Sequence, residues 1–522
     1  MSPEKIIKED FKTQKLSFEY VLPDYEPTVK RVMLSGARLM PNEKIVLGDG
    51  VTLSGSVEYR MVYQSVDDEL SSLTFSVPYE CTLSAEEGAL RHLDNVTLSS
   101  FSCMPSGPRR VLAKGEICAA VQSVGYEEMT LLGGEEDLFT LCESFPYSAF
   151  LYSSDEEREY AETVGELSDT GASVLYSDAA LRIDEARPMK DGILVSGKCL
   201  ISALVSENTK ARQLSTEILF EEFLPMGSTL NENSSVRCEA SIRSLALDVQ
   251  ADEGVCSLVA NARVGFFATV AEPQQISMPL DAYSTSCEIR PVFGQRVLVN
   301  ERGCCVYKDT LEMKVMPEEA DPVPMSDILY ASACARIVEC TPVKDAVEIT
   351  LKLALSLVGT DQSATDTAAG EEVAADAQPS STVGAGYVRE RAEETFTLAV
   401  PMKGAHPMMK AKASTPGAFC VNAFVEDGVF KVCTEVSFEV SLCEEICVQV
   451  CVGAERDESP LEKNEDEVCI VFVDSSDTLW SLAKENHARI DDILKENPGV
   501  SCDANSWNSK ASLAGVKYVL VP

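Results

Sequence analysis

At 522 residues the chain has room for three or four domains, and 45% hydrophobic content can support real cores. The net charge of −40 argues against nucleic-acid and anionic-membrane surfaces, which need clustered lysine and arginine. It permits basic partners without demanding them.

Residues 1–18 (MSPEKIIKEDFKTQKLSF) read as a charged lead-in compatible with a short helix. They hold no uninterrupted apolar stretch, so no export signal is expected. No apolar run approaches the roughly 18 residues of a membrane helix, so no membrane insertion is expected. Residues 20–29 (YVLPDYEPTV) carry two prolines and read as extended.

A duplicated unit follows. Residues 176–191 (YSDAALRIDEARPMKD) recur 154 positions later as YASACARIVECTPVKD, with eight of sixteen positions identical. A fainter copy lies 142 positions earlier, where Ser35, Ala37, Leu39, Glu43, Asp49 and Gly50 match Ser177, Ala179, Leu181, Glu185, Asp191 and Gly192. Many matches at a fixed offset mean repetition, here three units.

Each unit opens with a strand, a tight turn and a second strand of strict period two. In the first unit Val51, Leu53, Gly55, Val57, Tyr59, Met61 and Tyr63 alternate with mostly polar residues. In the second the register is Ile193, Val195, Gly197, Cys199, Ile201, Ala203 and Val205. In the third it is Val347, Ile349, Leu351, Leu353, Leu355 and Leu357. Such alternation predicts strands with one buried face. Closing hairpins are expected at Asp252-Glu253-Gly254 and Glu426-Asp427-Gly428. The fold class is therefore a mainly β array of three antiparallel, sandwich-type repeats, with a small α/β domain at its end.

The predicted organisation is a first repeat over 1–126, a second over 165–276 and a third over 326–454. Packed connectors are expected at 127–164 and 277–325. Residues 361–386 are rich in Ala, Ser, Thr, Gly and acid, which predicts a disordered insertion. Residues 455–467 read as an acidic linker.

Residues 468–522 form the last domain. VCIVFV predicts a strand, and Asp477 is placed to cap a first helix whose apolar face is Leu479, Leu482 and Ala483. A second helix presents Ile490, Ile493 and Leu494 and stops at Asn497-Pro498-Gly499; a strand over 516–521 ends the chain. The order is βααβ. This domain holds five Lys/Arg against seven Asp/Glu, a net of −2, so the acid excess sits on the array.

No catalytic constellation is legible. The three histidines, His92, His406 and His487, lie in no zinc-spaced set, and there is no phosphate-cradling glycine motif. The 19 cysteines include no CxxC and read as reduced packing residues. Among them Cys443, Cys447 and Cys451 are expected to share one strand face. No cofactor and no metal is expected. Trp480 could face a partner or cover the core edge; Trp507, in a polar loop, reads as a contact anchor.

DTLWSLA (477–483), DDILKENPG (491–499) and the terminal GVKYVLVP resemble the LysM module. That resemblance implies a glycan- or partner-binding surface on the loops opening the first helix and following the second. The positions are Asp477, Thr478, Leu479, Trp480, Asn497, Pro498, Gly499 and Trp507. Departures from the family pattern are Ser476, His487 and Arg489, and a longer loop over 501–512. The array, led by YVLPDYEPTVKRVM, is similar to the SPOCS-domain family of spore-forming Firmicutes, some of which carry a C-terminal LysM. This implies a non-enzymatic scaffold in spore-coat assembly, on the mother-cell side of the forespore surface. Its implied partner is the ATPase of the coat basement layer. The alternative is a protein binding peptidoglycan through N-acetylglucosamine at cortex or wall.

Overall fold

The computed structural model describes residues 4–126, 132, 137–153, 155–168, 171–207, 210–252, 255–315, 325–361, 387–426, 429–461, 468–500, 507–509, 513 and 515–522. Of the predicted insertion over 361–386, Asp361 ends a strand and 362–386 lie outside them. So do the turn residues 253–254 and 427–428.

The described residues are nearly all antiparallel strand. In the first unit β2 (Val29–Leu47), β3 (Gly50–Ser65) and β4 (Leu70–Ser84) make one three-stranded sheet. A second sheet is ordered β1 (Glu4–Val21), β6 (Arg110–Tyr126), β5 (Arg91–Gly107). The core lies between the two, where Leu53, Val57, Tyr59 and Tyr79 meet Leu16, Ala113 and Ile117.

The second and third units repeat this plan. Their inner-hairpin sheets are β9 (Ser173–Met189), β10 (Gly192–Glu207), β11 (Lys210–Pro225), and β15 (Met325–Val343), β16 (Ala346–Asp361), β17 (Tyr387–Pro401). The alternating residues predicted for β3, β10 and β16 do face the cores; Ile193, Ile201, Val347 and Leu353 are fully buried. A period of two on a strand with one covered face forces this outcome.

The facing sheets hold the main departures from the sequence reading. The expected lead-in is β1, an edge strand paired to β6 from Glu4↔Tyr126 to Val21↔Arg110. Its charged side chains face water and Leu16 is its buried residue, so it carries little periodicity. The expected connectors also hold strands. β7 (Leu138–Tyr152), β8 (Glu156–Leu167) and β14 (Cys287–Val315) occupy them, together with the end of β13 (Val255–Ser284). β8 and β14 are the counterparts of β1. β8 pairs with β13, and β14 with β20 (Val429–Pro460). β12 (Ser235–Asp252) and β19 (Gly417–Glu426) complete the closing hairpins, and β18 (Lys410–Ala413) adds to the edge of β20. β20 runs to Pro460, so the first half of the expected linker is strand, and 462–467 lie outside the described residues.

Two strands outgrow their units. Beyond its own sheet β13 pairs with β7 from Thr269↔Tyr152 to Ser284↔Leu138. β14 and β20 likewise stay paired to Cys287↔Pro460. The two ribbons pack through Tyr147, Met278, Leu298, Val448 and Val450. Cys451 is buried on this ribbon while Cys447 is exposed, so the three β20 cysteines do not share one environment.

The three units meet at one centre. Met33, Leu34, Val62, Leu175, Tyr176, Leu204, Tyr330 and Val358 form a single buried cluster. The repeat offsets relate these residues: Leu34, Tyr176 and Tyr330 are equivalent, as are Val62, Leu204 and Val358. The array closes on itself with approximate threefold symmetry. Tyr176 and Tyr330 meet edge to face at 5.5 Å, and the Tyr330 hydroxyl lies 2.7 Å from Ser202 Oγ. Arg60 stacks on Tyr176 at 5.2 Å and also donates to the Ser177 carbonyl. Gly36 stands where its equivalents are Asp178 and Ser332, because a Cβ there would lie 2.2 Å from the Tyr176 hydroxyl. Ser332 Oγ donates to Asp178 Oδ2 at 3.2 Å, closing the ring between units two and three.

Tyr330→Ala therefore opens a cavity at a point shared by three units, at a cost of about 3–5 kcal/mol in denaturant unfolding. Tyr330→Phe removes one buried hydrogen bond and costs about 1 kcal/mol. Equal small effects of both substitutions would show that the centre is not a packing keystone.

Candidate functional site

The C-terminal part contains β21 (Cys469–Phe472), α1 (Leu479–Glu485), α2 (Ile490–Glu496) and β22 (Tyr518–Val521), with β21 and β22 antiparallel. Thr478 rather than Asp477 caps α1: its side chain accepts from Ser481 N, and Ser481 Oγ accepts from Thr478 N, a reciprocal capping box. Asp477 closes the preceding turn, its Oδ2 accepting from Asp474 N at 2.7 Å. Arg489 precedes α2 without a side-chain cap.

The eight candidate residues divide by environment. Leu479 is in the core, with Leu482, Ala483, Ile493 and Val519. Asn497 is a structural staple: its Nδ2 donates to the carbonyls of Ile493 and Leu520, and its Oδ1 accepts from Leu520 N. Pro498 and Gly499 are exposed. Trp507 is half-buried against the same core, and its carbonyl accepts from Trp480 N at 3.1 Å. A cleft of about 210 Å³ opens beside Asp477, lined by Val473, Asp474, Ser475, Leu513, Gly515 and Val516. It is smaller than the roughly 300–1,000 Å³ of typical ligand pockets.

Trp480 is only 3% exposed, and what covers it is the array. Its ring meets Tyr283 of β13 edge to face at 5.0 Å, and Nε1 donates to Asp281 Oδ2 at 2.9 Å. Lys484 Nζ reaches the other oxygen of Asp281 at 2.6 Å. The Tyr283 hydroxyl donates to the Ala488 carbonyl at 2.8 Å, and its ring stacks on Phe139 of β7. Arg489 lies over Phe139. Burial pushes the Tyr283 phenol well above its ordinary range, so it stays a donor.

His487 completes the seat. It adopts φ of 47°, a left-handed conformation that disfavours non-glycine residues. There its Nδ1 donates to the Ser284 carbonyl at 2.8 Å, and Nε2 faces Glu288 Oε1 at 3.0 Å. The side-chain contacts to the ribbon tip offset the backbone cost. Sequence reading missed Asp281, Tyr283, Ser284 and Glu288 because they lie about two hundred positions from their partners. The one available signal was His487 at a position where the resembled family has glycine.

The opposite face of this domain is uncovered. Phe472 pairs with Tyr518 and Ile470 with Leu520, so the four share the outer side of the ribbon. Phe472 is 78% exposed, Ile470 61% and Tyr518 54%. Val471, Val519 and Val521 point inward.

The histidines and buried cysteines elsewhere among the described residues have ordinary partners. His92 Nδ1 lies 3.1 Å from Ser123 Oγ, and burial, then Lys44, lower its basicity. His406 Nδ1 accepts from Met408 N within a turn. Burial pushes the thiols of Cys103 and Cys199 up to about 11 and about 12. Among the described residues no group of three His, Cys, Asp or Glu is placed to hold a metal ion, and no helix is long and apolar enough to cross a membrane. Searches against family models, curated proteins and solved structures find no match to this chain.

Asp281→Ala leaves the indole N–H and Lys484 without their shared acceptor. In a Trp507→Phe background, where Trp480 is the sole indole, its emission should shift to the red as the seat opens. An unchanged spectrum would show that Asp281 does not hold the domain.

Proposed function

We propose that this protein is a non-enzymatic scaffold of spore-coat assembly. Its C-terminal domain, LysM-like in motif and in βααβ order, docks the ATPase of the coat basement layer, and the array carries further surfaces. The observation supporting this is the two-faced C-terminal domain. One face is bound to the array through Trp480, Tyr283 and His487; the other presents Ile470, Phe472 and Tyr518 to solvent. An exposed aromatic and aliphatic patch of this kind is characteristic of a protein contact. Seating the domain on the ribbon tip fixes the partner relative to the array, which raises the effective concentration of whatever the array binds. The proposed setting is the mother-cell side of the forespore surface.

The second reading, a peptidoglycan-binding domain, draws support from the cleft beside Asp477 and from the exposed Pro498-Gly499 turn. The two readings use different surfaces, so substitutions separate them. Phe472→Ser and Tyr518→Ser lie at exposed positions and should leave the melting temperature unchanged. In the full chain, capture of the polymerised coat ATPase should fall at least tenfold, about 1.4 kcal/mol. Insoluble peptidoglycan should not sediment the protein. Sedimentation that free chitooligosaccharide competes away, unaffected by Phe472→Ser, would establish the glycan reading instead.

A further inference from the structure

Each unit carries a β-bulge at the same place in its inner-hairpin sheet. In the first unit the register slips between Pro41↔Gly55 and Glu43↔Ser54, so Asn42 of β2 is the extra residue. By the repeat offsets its counterparts are Asp184 and Val338, and the register slips at both. The bulges of the first two units are filled differently. In the second, Arg182 pairs with Asp184 at 2.9 Å and with Glu435 of the third unit, and Lys308 of the third unit also pairs with Asp184. The first unit has neutral Met40 and Asn42 in place of Arg182 and Asp184, and cannot make those ion pairs. Beside its bulge lies a cleft of about 710 Å³. That is within the roughly 300–1,000 Å³ of ligand pockets.

Tyr79 of β4 lines this cleft. It is 4% exposed, and its hydroxyl is buried without a hydrogen-bond partner among the described residues. Gly55 makes room for it: a Cβ there would lie 2.7 Å from the Tyr79 hydroxyl and 2.4 Å from the Met40 carbonyl oxygen. Burial pushes the phenol up to about 12, so it keeps its proton and remains a donor. A buried hydroxyl with no partner costs free energy. The other units avoid that cost, with Phe220 opposite Gly197 and Phe396 opposite Leu351 at the equivalent pair. Packing therefore does not require the hydroxyl, and it belongs to the unit whose bulge lacks the ion pairs.

The walls of the cleft define a ligand chemistry. Ser54 and Ser56 bring hydroxyls, Gln14 and Asn42 bring amides, and Glu80 brings an acceptor-only carboxylate. The Cys81 thiol donates to Gln14 Oε1 at 2.8 Å, which fixes that amide. No Lys, Arg or His is among the described lining residues, so an anion would find no countercharge there. Met40, Pro41 and Pro78 add apolar surface. The matching molecule is uncharged, carries several hydroxyls that both donate and accept, and has an apolar C–H face. We propose that the cleft of the first unit binds a saccharide of one or two rings, with the Tyr79 hydroxyl as its buried hydrogen-bonding anchor. This site is on the array and is separate from the C-terminal domain.

The test is saturation-transfer NMR of the full chain with maltose and with cellobiose at millimolar concentration, followed by titration of whichever binds. Transfer to at least one disaccharide is expected. Tyr79→Phe installs the residue that both other units hold, so the melting temperature should stay or rise, while the dissociation constant should weaken about threefold to tenfold. Ser56→Lys likewise installs the residue of both other units, Lys198 and Lys352, and its longer side chain should fill the cleft and abolish transfer. Absence of transfer to both sugars overturns the proposal. So does transfer that Ser56→Lys leaves unchanged, which would place the sugar elsewhere on the chain. Should Tyr79→Phe not fold, the Ser56→Lys result decides alone.

Discussion

The contact on which the molecule depends is the meeting of Leu34, Tyr176 and Tyr330. Each comes from the equivalent strand of its unit, and all three are buried in one cluster. A row of repeats would leave the two outer faces open and need polar caps. Closure about a common centre removes those ends, because every unit has two neighbours. Two of the three central residues are tyrosines, whose hydroxyls cost free energy if buried unpaired. Tyr330 finds Ser202, and the divergence of Gly36, Asp178 and Ser332 makes room on one side and supplies polar contacts on the others.

Strand continuity carries that arrangement outward. β13 and β20 are single strands that first close a unit and then enter a ribbon, so one hydrogen-bonded ladder spans both roles. At about 3.3 Å per residue, the 30 residues of β13 cover up to about 100 Å of path. Bending such a ladder breaks paired backbone groups, which a loop linker would not require. The C-terminal domain is therefore seated on a continuation of the array's own sheets.

The sequence made part of this legible. Period-two alternation over β3, β10 and β16 reported a buried face because burial acts residue by residue. The fixed offsets reported repetition for the same reason. β1, β8 and β14 escaped notice: among the described residues they pair along one side only, and water accepts their charged side chains, so nothing forces Glu157 or Lys12 to alternate with apolar neighbours. The C-terminal helices were legible from Leu479, Leu482 and Ile493, whereas the role of Trp480 was not. An indole flanking a helix start looks the same whether it faces a partner or Asp281, and Asp281 lies in a stretch with no local feature of its own.

β7 shows what the long ribbons are for. The six-strand plan runs β1 to β6 in the first unit and β8 to β13, without its extension, in the second; the third, β14 to β20 without the extensions, follows it with the short β18 as a seventh strand. β7 has no place in that plan and, among the described residues, pairs with the extended half of β13. An extension left alone would expose a full row of backbone donors and acceptors along one edge. β7 covers that row, and its first residues, Phe139 and Leu141, then lie beneath the C-terminal domain beside Tyr283. The extra strand thus completes both the ribbon and the seat. The chain spends strand length at the one place where a repeat unit by itself would end, and the surface gained there is the one that holds Trp480 inward and leaves Phe472 outward.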